Sequence, residues 1–522
     1  MALARNAAAA TAATLAVALV APVPRAAAQE ASGGLAAYVI PDLTGGIGSH
    51  DLVLVRGGGS VAAVEVRNAA GGALRWRDEV PPAHAVLPLL TPGGEWQLAL
   101  AGTTTETVDV PPAAAVSDVT LSVRARDAAG DAAWSWEATG SATTSPAAVT
   151  VRDLPELVGV QHAVEHDRVV VMLTDADLPR TEALPASTTV EVVTLFGGEP
   201  VTLGTASGDG TALPRALVCG DLTGDGTDDV LLVVPEAGGA GRIDALDGET
   251  GEALWSAAVA DPLTAEVTGV GGDVLVADGG AATASVLDGA GGTVRWTAPA
   301  EEVAVAGDAV MLRNGGTVES RSTAGAVRWR RTAPGSGVAP AGDVDADGRD
   351  DVRTLDGSVL AFSDGRTLGR STGTPLLDDA DGRPGDDFVS VTPDRARVES
   401  ARTLAWTRAL PGAGAPWSLA ADRAVRYDRR CTGVLVAADD GAVELLDGRT
   451  GRTRWRLAAD GTVRRGDRTR CPAGPPSRPL GSRQRADRTI PSTGMPPLAP
   501  FAAVTVAAFL ALARNARARR CV

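Results

Sequence analysis

Aspartates at alternate positions of a short loop are the residues of this sequence best suited to chemistry. One loop reads DVDADGRDD and places Asp343, Asp345, Asp347 and Asp351 at loop positions 1, 3, 5 and 9, with Gly348 at position 6. Ca²⁺ takes about six to eight oxygen ligands, and alternate residues of such a tight loop point their side chains inward. We therefore predict a Ca²⁺ site in this loop.

A second loop repeats the pattern with a threonine at the third position. It places Asp221, Thr223, Asp225 and Asp229 where the first loop has its four aspartates. Both loops lead into strand-like sequence rather than a helix, which argues against an EF-hand. We predict a structural role for the metal, because crowded carboxylates repel one another without a cation. The alternative is an acidic turn that binds no metal.

Two further stretches resemble these loops less well. Residues 379–387 carry one residue more than the pattern allows, and residues 42–51 lack the central aspartate.

A histidine motif that spells a zinc site lies in the wrong local structure. His162, Glu165 and His166 form H-x-x-E-H, which binds zinc when a helix brings both histidines to one face. The flanking residues are apolar and β-branched and predict strands, so we interpret the match as coincidence. The remaining histidines, His50 and His84, are isolated.

Composition excludes several classes of function. The chain of 522 residues contains no lysine, so lysine-based catalysis is excluded, and its net charge of −16 argues against nucleic acid as a partner. It contains no Walker, kinase or C-x-x-C motif. Paired carboxylates that act from different repeats would not be visible in a linear sequence, so the question of enzymatic activity stays open, with non-catalytic binding favoured.

The elements that must position the carboxylate loops form a repeat that ends in tryptophan. Residues 242–255 and 442–455 share a strand, an Asp-Gly-x-Thr-Gly turn and a second strand that ends in Trp255 or Trp455. Looser copies end at Trp76, Trp136, Trp296, Trp329 and Trp406. The intervals leave room for copies without tryptophan near Leu203 and Leu368, which gives nine candidate units.

The repeat predicts an all-β fold. Each unit offers four short antiparallel strands in ~40–50 residues, which is the composition of a β-propeller blade. A single blade cannot bury both of its faces, whereas blades arranged in a ring cover one another, and a tryptophan on each outer strand would fill the wedge between them. We predict a single propeller of four-stranded blades, about eight in number with a range of seven to nine. Two stacked β-sandwiches are the alternative.

The repeat, with its Asp, Thr-Gly and Trp at fixed spacing, resembles the quinoprotein-type (PQQ-like) propeller repeat over roughly residues 35–460. The loops at 221–229 and 343–351 resemble the Ca²⁺ loops of FG-GAP/VCBS repeats, which lie between the first two strands of a blade. Quinoprotein dehydrogenases often carry adjacent cysteines near their cofactor. No two cysteines are adjacent here, so no PQQ is expected.

Both ends of the chain read as targeting signals. Residues 1–28 combine an early arginine, an apolar stretch and a small-residue exit, which predicts a secretory signal peptide. Near the other end, Ile490, Pro491, Thr493 and Gly494 precede a mostly apolar run at 495–513 and a closing arginine cluster. This run is just long enough to span a bilayer, and the arginines would stay on the cytoplasmic side.

That C-terminal order resembles a Gram-positive LPxTG cell-wall sorting signal, with isoleucine in place of the usual leucine. The resemblance implies a sortase that cuts between Thr493 and Gly494 and joins the threonine to peptidoglycan. The alternative is a plain C-terminal membrane anchor. Either one places the bulk of the chain outside the cell, in the wall or on the outer face of the cytoplasmic membrane.

These features divide the chain into a signal peptide (1–28), a propeller (29–460), an Arg/Pro/Gly/Ser-rich stalk (461–489) and a sorting signal or anchor (490–522). The stalk is basic, with eight arginines against two aspartates at residues 464–488. A disulfide between Cys431 and Cys471 would join the stalk to the last folded unit, and Cys219 is predicted to be a buried free thiol.

The predicted function is that of a cell-surface, Ca²⁺-stabilised binding or scaffold module for protein or glycan partners. The alternatives are a secreted propeller enzyme that acts on polysaccharide through channel carboxylates, and an envelope-assembly factor, which cofactor-free PQQ-like propellers resemble. A channel lined by convergent charged groups would favour the enzyme, and one lined by small apolar groups would favour binding.

Overall fold

The computed structural model describes residues 35–466, apart from gaps at 45–48, 58–60, 82, 111–113, 146–147, 165, 180–185, 211, 263–264, 279–280, 334–336, 372, 376–378, 382, 400–403, 411–415, 422 and 429–430. The predicted signal peptide, the sorting motif and the apolar run at 495–513 lie outside the described residues. Within the described part of the chain, no helix is long and apolar enough to cross a membrane.

Within the described residues, the regular secondary structure is β apart from one short 3₁₀ helix at Ala237–Gly239. Blade 1 is a four-stranded sheet of β1 (Leu35–Ile40), β2 (Asp51–Arg56), β3 (Ala62–Asn68) and β4 (Leu74–Val80). An eight-stranded sheet follows, made of β5 (Ala83–Leu90), β6 (Trp96–Val110), β7 (Ala114–Arg126), β8 (Ala132–Thr144), β9 (Ala148–His162), β10 (Asp167–Pro179), β11 (Ser187–Phe196) and β12 (Glu199–Gly208).

Five four-stranded sheets come next in sequence order. Blade 4 is β13 (Arg215–Gly220), β14 (Asp229–Pro235), β15 (Gly241–Leu246) and β16 (Ala253–Val259); blade 5 is β17 (Ala265–Val270), β18 (Asp273–Asp278), β19 (Thr283–Leu287) and β20 (Val294–Pro299). Blade 6 is β21 (Glu302–Ala306), β22 (Ala309–Asn314), β23 (Thr317–Ser322) and β24 (Val327–Thr332); blade 7 is β25 (Val338–Gly342), β26 (Asp351–Thr354), β27 (Ser358–Leu360) and β28 (Thr367–Arg370). Blade 8 is β29 (Thr374–Pro375), β30 (Phe388–Thr392), β31 (Arg395–Glu399) and β32 (Leu404–Ala409).

Blade 9 is the last sheet. It contains β33 (Trp417–Leu419), β34 (Val425–Asp428), β35 (Cys431–Ala438), β36 (Val443–Asp447), β37 (Thr453–Leu457) and β38 (Val463–Arg465). Both β33 and β34 pair with β35, and β38 adds a further strand beside β37. The strand β38 lies past residue 460, where the sequence predicted the propeller to end.

The eight-stranded sheet supplies two blades. Strands β5–β8 (blade 2) and β9–β12 (blade 3) are joined only by the short pairing of residues 141–144 with 149–152. Their faces pack against each other in one core cluster, in which Leu121 of β7 lies with Val171 of β10. The sheet therefore bends back on itself, and the described chain forms nine blades from eight sheets.

The blades close into a ring, because every core cluster between blades joins sequence neighbours and one joins the two ends. Clusters link blade 1 to 2, 2 to 3, and so on through 8 to 9. A final cluster packs Leu52 and Leu54 of blade 1 against Leu435, Leu445 and Trp455 of blade 9. The fold is a β-propeller, as predicted, and the two-sandwich alternative is wrong.

The repeated tryptophans pack at the interfaces between neighbouring blades, which we call seams. Trp455 of blade 9 lies over Gly72 in the turn of blade 1, and its indole nitrogen donates to Ala69 O at 2.8 Å. Gly72 has φ of 69°, and a Cβ there would lie 2.9 Å from the indole. The other tryptophan–glycine contacts are Trp76–Gly130, Trp134–Gly198, Trp255–Gly292, Trp296–Gly325, Trp329–Gly365 and Trp406–Gly451.

One seam tryptophan differs from the prediction. In blade 2, Trp134 lies over Gly198 of blade 3, whereas the sequence repeat pointed to Trp136. In blades 4 and 5, the seam tryptophan is the residue that pairs next to a register shift between the last two strands. In blade 2, this shift falls between Ala125 and Arg126, and Trp134 is the residue that pairs with Ala125. Both predicted units without tryptophan are present, with Leu203 in β12 of blade 3 and Leu368 in β28 of blade 7. The backbone of Leu203 approaches Gly251 of blade 4.

Candidate metal centre

The carboxylate loops lie at one end of the ring, which we call the loop face. In each meander blade, the connection between the first two strands and the turn between the last two lie at the same end. The contact is direct in blade 4, where Gly248 N in the β15–β16 turn donates to Asp229 Oδ1 at 2.7 Å. It is also direct in blade 7, where Phe362 N donates to Asp351 Oδ1 at 2.9 Å.

The loop of blade 7 brings together three of its four predicted ligands. Carboxylate oxygens of Asp343, Asp345 and Asp351 lie within 4.8 Å of one another. Asp343 and Asp351 are buried, and the side chain of Asp345 is 11% exposed. Asp347 is exposed and accepts a hydrogen bond from Arg349 N at 3.0 Å, so it does not belong to the group.

The charges of this group are poorly balanced by its surroundings. The pKa of Asp351 is raised to about 7, mainly by burial and also by the neighbouring Asp345 carboxylate, while the hydrogen bond from the backbone N–H of Phe362 acts in the opposite direction. Arg366 Nη2 donates to Asp345 Oδ2 at 2.7 Å. Asp345 Oδ1 is buried and accepts no hydrogen bond from the described residues. A buried oxygen of this kind, beside two more carboxylates, fits a hard cation such as Ca²⁺.

The degenerate loop of blade 8 forms a second group. Oxygens of Asp379, Asp381 and Asp387 lie within 4.8 Å of one another, and burial followed by the Asp381 charge raises the pKa of Asp387 to about 6. Thr432 Oγ1 of blade 9 holds this loop by donating to Asp379 O at 2.8 Å. The sequence contained the signal, but the extra residue in the loop kept these aspartates out of the predicted ligand set.

The loop of blade 4 has a different internal arrangement. Asp221 accepts the backbone N–H groups of Gly224 and Gly226 at 2.6 and 2.8 Å, while Asp225 caps Thr227 N at 2.7 Å. Thr223 Oγ1 lies 3.3 Å from Asp221 Oδ1. Within the described residues, these side chains do not form a group of three acidic ligands. The Ca²⁺ site at Asp221, Thr223, Asp225 and Asp229 stays a prediction.

The last aspartate of each loop has a structural task that the sequence did not reveal. It is the first residue of the second strand in blades 4 and 7 and directly precedes that strand in blade 8. It accepts backbone N–H groups from its own loop: Asp229 Oδ2 from Leu222, Asp351 Oδ2 from Val344, and Asp387 Oδ2 from Ala380. In blades 1 and 5, which lack a complete loop, Asp51 accepts Leu43 N and Asp273 accepts Gly289 N.

The residue before this aspartate bonds to the preceding blade. Asp228 N donates to His162 O while Asp228 Oδ2 accepts His162 N, and Asp386 is bonded to Asp343 in the same two ways. His50 takes this position in blade 1: its N–H donates to Arg426 O, and its Nδ1 accepts Arg426 N at 3.0 Å. We call this pairing the clasp. It links blade 3 to 4, 7 to 8 and 9 to 1.

The H-x-x-E-H segment does not have the helical structure that zinc binding needs. His162 ends β9 and His166 lies in the loop before β10, as predicted, and Glu165 lies outside the described residues. His162 Nδ1 lies 2.9 Å from Asp167 Oδ1, and Arg168 Nε donates to His166 Nε2 at 3.1 Å. The two histidines thus have separate local partners.

The innermost strands carry mostly small apolar residues, with one charged cluster. Strands β1, β21 and β25 read LAAYVI, EVAVA and VAPAG. On β9, β13 and β17, Glu156, Arg215 and Glu266 interact electrostatically. Burial raises the pKa of Glu156 to about 7 despite the nearby Arg215. Arg215 Nη2 also donates to Pro262 O and Ala265 O, both at 2.8 Å, which fixes it against blade 5.

The cysteines were predicted as one buried thiol and one disulfide. Cys219 is a buried free thiol, as predicted. Cys431 is disulfide-bonded. Its predicted partner, Cys471, lies outside the described residues.

Comparisons with known proteins give structural similarity only. No family model matches the chain, and no curated protein matches it. Among solved structures, the chain is similar to BamB from Moraxella catarrhalis (17% identity, TM-score 0.31, 52% of this chain and 89% of that one). It is also similar to the dihydro-heme d1 dehydrogenase NirN (12%, TM-score 0.36, 85% and 76%) and to a europium-containing methanol dehydrogenase (10%, TM-score 0.32, 79% and 86%).

Proposed function

We propose that this protein is a Ca²⁺-stabilised β-propeller that acts outside the cell as a non-catalytic binding or scaffold module for protein or glycan partners. The proposed Ca²⁺ site rests on the group of Asp343, Asp345 and Asp351. Within it, Asp345 Oδ1 is buried and accepts no hydrogen bond from the described residues. Asp379, Asp381 and Asp387 would hold a second ion. The small apolar residues of the innermost strands support a binding role over channel chemistry.

The metal would act on the contact between blades 7 and 8. Asp343 is both a proposed ligand and the clasp partner of Asp386, through Asp343 N to Asp386 Oδ2 at 2.8 Å. Ca²⁺ would neutralise the carboxylates that otherwise repel across this contact. A ligand that binds only the folded state stabilises it by about 2.7 kcal/mol at a concentration one hundred times its Kd.

Calorimetric melting with Ca²⁺ and with EDTA tests this proposal. We expect Ca²⁺ to raise the Tm by a few degrees and Asp345→Asn to remove most of that rise. Asp347→Asn is the matched control, because Asp347 belongs to the same loop but not to the group, and it should keep the rise. Equal Tm values with Ca²⁺ and EDTA would remove the metal from the proposal.

The proposed location rests on the two ends of the chain. Secretion through residues 1–28 and sortase transfer of Thr493 to peptidoglycan would place the propeller on the cell wall. In a Gram-positive host, Thr493→Ala should shift the protein from the wall fraction to the membrane fraction. If the variant and the parent fractionate alike, the 495–513 run acts as a plain membrane anchor.

One observation favours a second candidate, an enzyme that acts on polysaccharide. Glu156 has a pKa raised to about 7 by burial, which suits a general acid, and Glu266 lies on the other side of Arg215. Hydrolysis of wall polysaccharides by the protein, lost in Glu156→Gln with an unchanged Tm, would establish this activity in place of the binding role. The third candidate, envelope assembly, predicts co-purification with wall or membrane protein complexes that survives EDTA.

A further inference from the structure

Strand β6 is far longer than the inner strand beside it. Strand β5 pairs with residues 96–103 of β6 and goes no further. The preceding Pro81 lies across β6 at Gly102, where a Cβ would come within 2.5 Å of the proline ring. Chain entry into β5 therefore ends the pairing at Thr103, while β6 continues to Val110.

Residues 104–110 form an open sheet edge. They pair with β7 on one side, and no described strand pairs with them on the other. The side chains of residues 104–108 are all exposed, and Val108 is 56% exposed. An edge of this length presents unpaired N–H and C=O groups to any extended chain that approaches.

The open edge is held in a preformed shape. Beyond β5, the sheet continues as a ribbon of residues 104–110, 114–120, 138–144, 148–154, 174–179 and 187–191. The strands of the ribbon next to β6 pack in a core cluster of their own, which includes Val119, Val151 and Leu178. Thr107 and Ser117 are joined across β6 and β7 by a hydrogen bond of 2.9 Å. A binding strand would therefore not have to order this edge.

The edge is acidic without compensation. Glu106 lies directly opposite Asp118 in the β6–β7 register, and both side chains are exposed. Neither forms an ion pair with a described residue. Residues 104–110 contain two acidic residues and no basic one. Like charges directly opposite each other destabilise a strand pair, so a basic side chain placed beside Glu106 would relieve this repulsion.

We propose that the open edge of β6 binds an extended, basic segment of a partner protein, which adds a strand to the sheet and places an arginine or lysine beside Glu106. This inference rests on the proposed binding role and names a site for it. A second copy of the chain is disfavoured, because its own β6 edge would bring further acidic residues against this one.

Binding of synthetic peptides to the full, Ca²⁺-loaded chain tests the proposal. The probe is a short peptide of alternating valine and arginine, compared with a valine–glutamate peptide and with the first peptide carrying a central proline. We expect the valine–arginine peptide to bind and the other two to bind at least about tenfold more weakly, since one lacks the charge and the other cannot pair as a strand. Glu106→Arg and Asp118→Arg should each weaken its binding by about tenfold.

Glu199→Arg is the matched control, because Glu199 is exposed at the start of β12, on the opposite edge of the same sheet, and its variant should bind as the parent does. Equal binding of the proline-containing peptide, or unchanged binding by both reversal variants, would overturn strand addition. Dimerisation that Glu106→Arg alters would also overturn it, in favour of a second copy. The Tm response to Ca²⁺ is read on the same samples, so failure of the edge is distinguishable from failure of the metal site.

Discussion

At the residue scale, the buried aspartates of the loops mainly accept hydrogen bonds from backbone N–H groups. Asp229 joins its own loop to its own turn through Leu222 N and Gly248 N, and Asp228 beside it joins blade 4 to blade 3. Such buried carboxylate–amide bonds are stronger than neutral ones. Two adjacent residues thus fix a blade internally and against its neighbour.

Among the clasp residues, His50 is the one that can gain a positive charge as the pH falls. Burial, together with the nearby charges of Arg426 and Arg423, lowers its pKa to about 3. Because the folded-state pKa lies below the unfolded value of about 6.5, the unfolded state takes up the proton first as the pH falls below that value. Stability is therefore lost progressively from about pH 6.5 to pH 3 and is fully present above that range.

We expect the free energy of unfolding to fall by up to about 3 kcal/mol between pH 7 and pH 4 because of His50. His50→Asn should lose less over the same interval, because an amide oxygen can accept Arg426 N without titrating. The comparison of the two unfolding free energies at each pH cancels the contribution of the shared carboxylates. Parallel curves for the two proteins would contradict the role of His50.

At the element scale, each seam depends on a tryptophan from one blade and a glycine from the next. Gly72 combines a positive φ of 69° with a Cβ position 2.9 Å from Trp455. Gly94, in the β5–β6 turn, has a similar φ of 77° but no atom within 4 Å of its Cβ position. Alanine variants at Gly72 and Gly94 therefore separate the free-energy cost of the positive φ from the cost of the clash with the indole.

We expect Gly72→Ala to destabilise the protein by about 2–4 kcal/mol, since it adds a steric clash to an unfavourable φ. Gly94→Ala should cost about 1–2 kcal/mol, from the backbone conformation alone. Denaturant unfolding measures both. A similar cost for the two variants would mean that the indole moves aside freely.

The observed strands and loops show which features of the fold could be predicted from the sequence. The turn and tryptophan spacing predicted the propeller, and the aspartate spacing predicted three side chains that meet in the loop of blade 7. The sequence did not separate Trp134 from Trp136, because the two residues share a strand face and a register shift decides which one meets Gly198. It also could not show that Asp347 turns outward, or that the extra residue at 379–387 still lets three aspartates meet, because both depend on the path of the loop backbone.

At the scale of the whole molecule, the ring closes without any exchange of strands. Every blade is built from consecutive strands, so blade 9 and blade 1 meet only through side chains and hydrogen bonds. Trp455 at this seam is fully buried, whereas Trp296, at the seam of blades 5 and 6, is partly exposed. The closing seam therefore relies on denser packing.

We expect Trp455→Ala to cost about 3–5 kcal/mol and to broaden the unfolding transition, because it opens the ring. Trp296→Ala should cost about half as much and leave the transition sharp. Calorimetry distinguishes the two by the width as well as the midpoint. Equal losses of unfolding free energy and equal transition widths would show that the seam between blades 9 and 1 contributes no more to stability than the seam between blades 5 and 6.

Because the ring closes by contact alone, tension applied at the C-terminal side of blade 9 has no shared strand to pull against. The force would pass through the strands of blade 9 into the interface formed by Trp455, His50 and Arg426. Blade 9 would therefore peel away first and the remaining blades would follow in order around the circle. If the chain is tethered at its C-terminal end, as we propose, it would yield one blade at a time under flow.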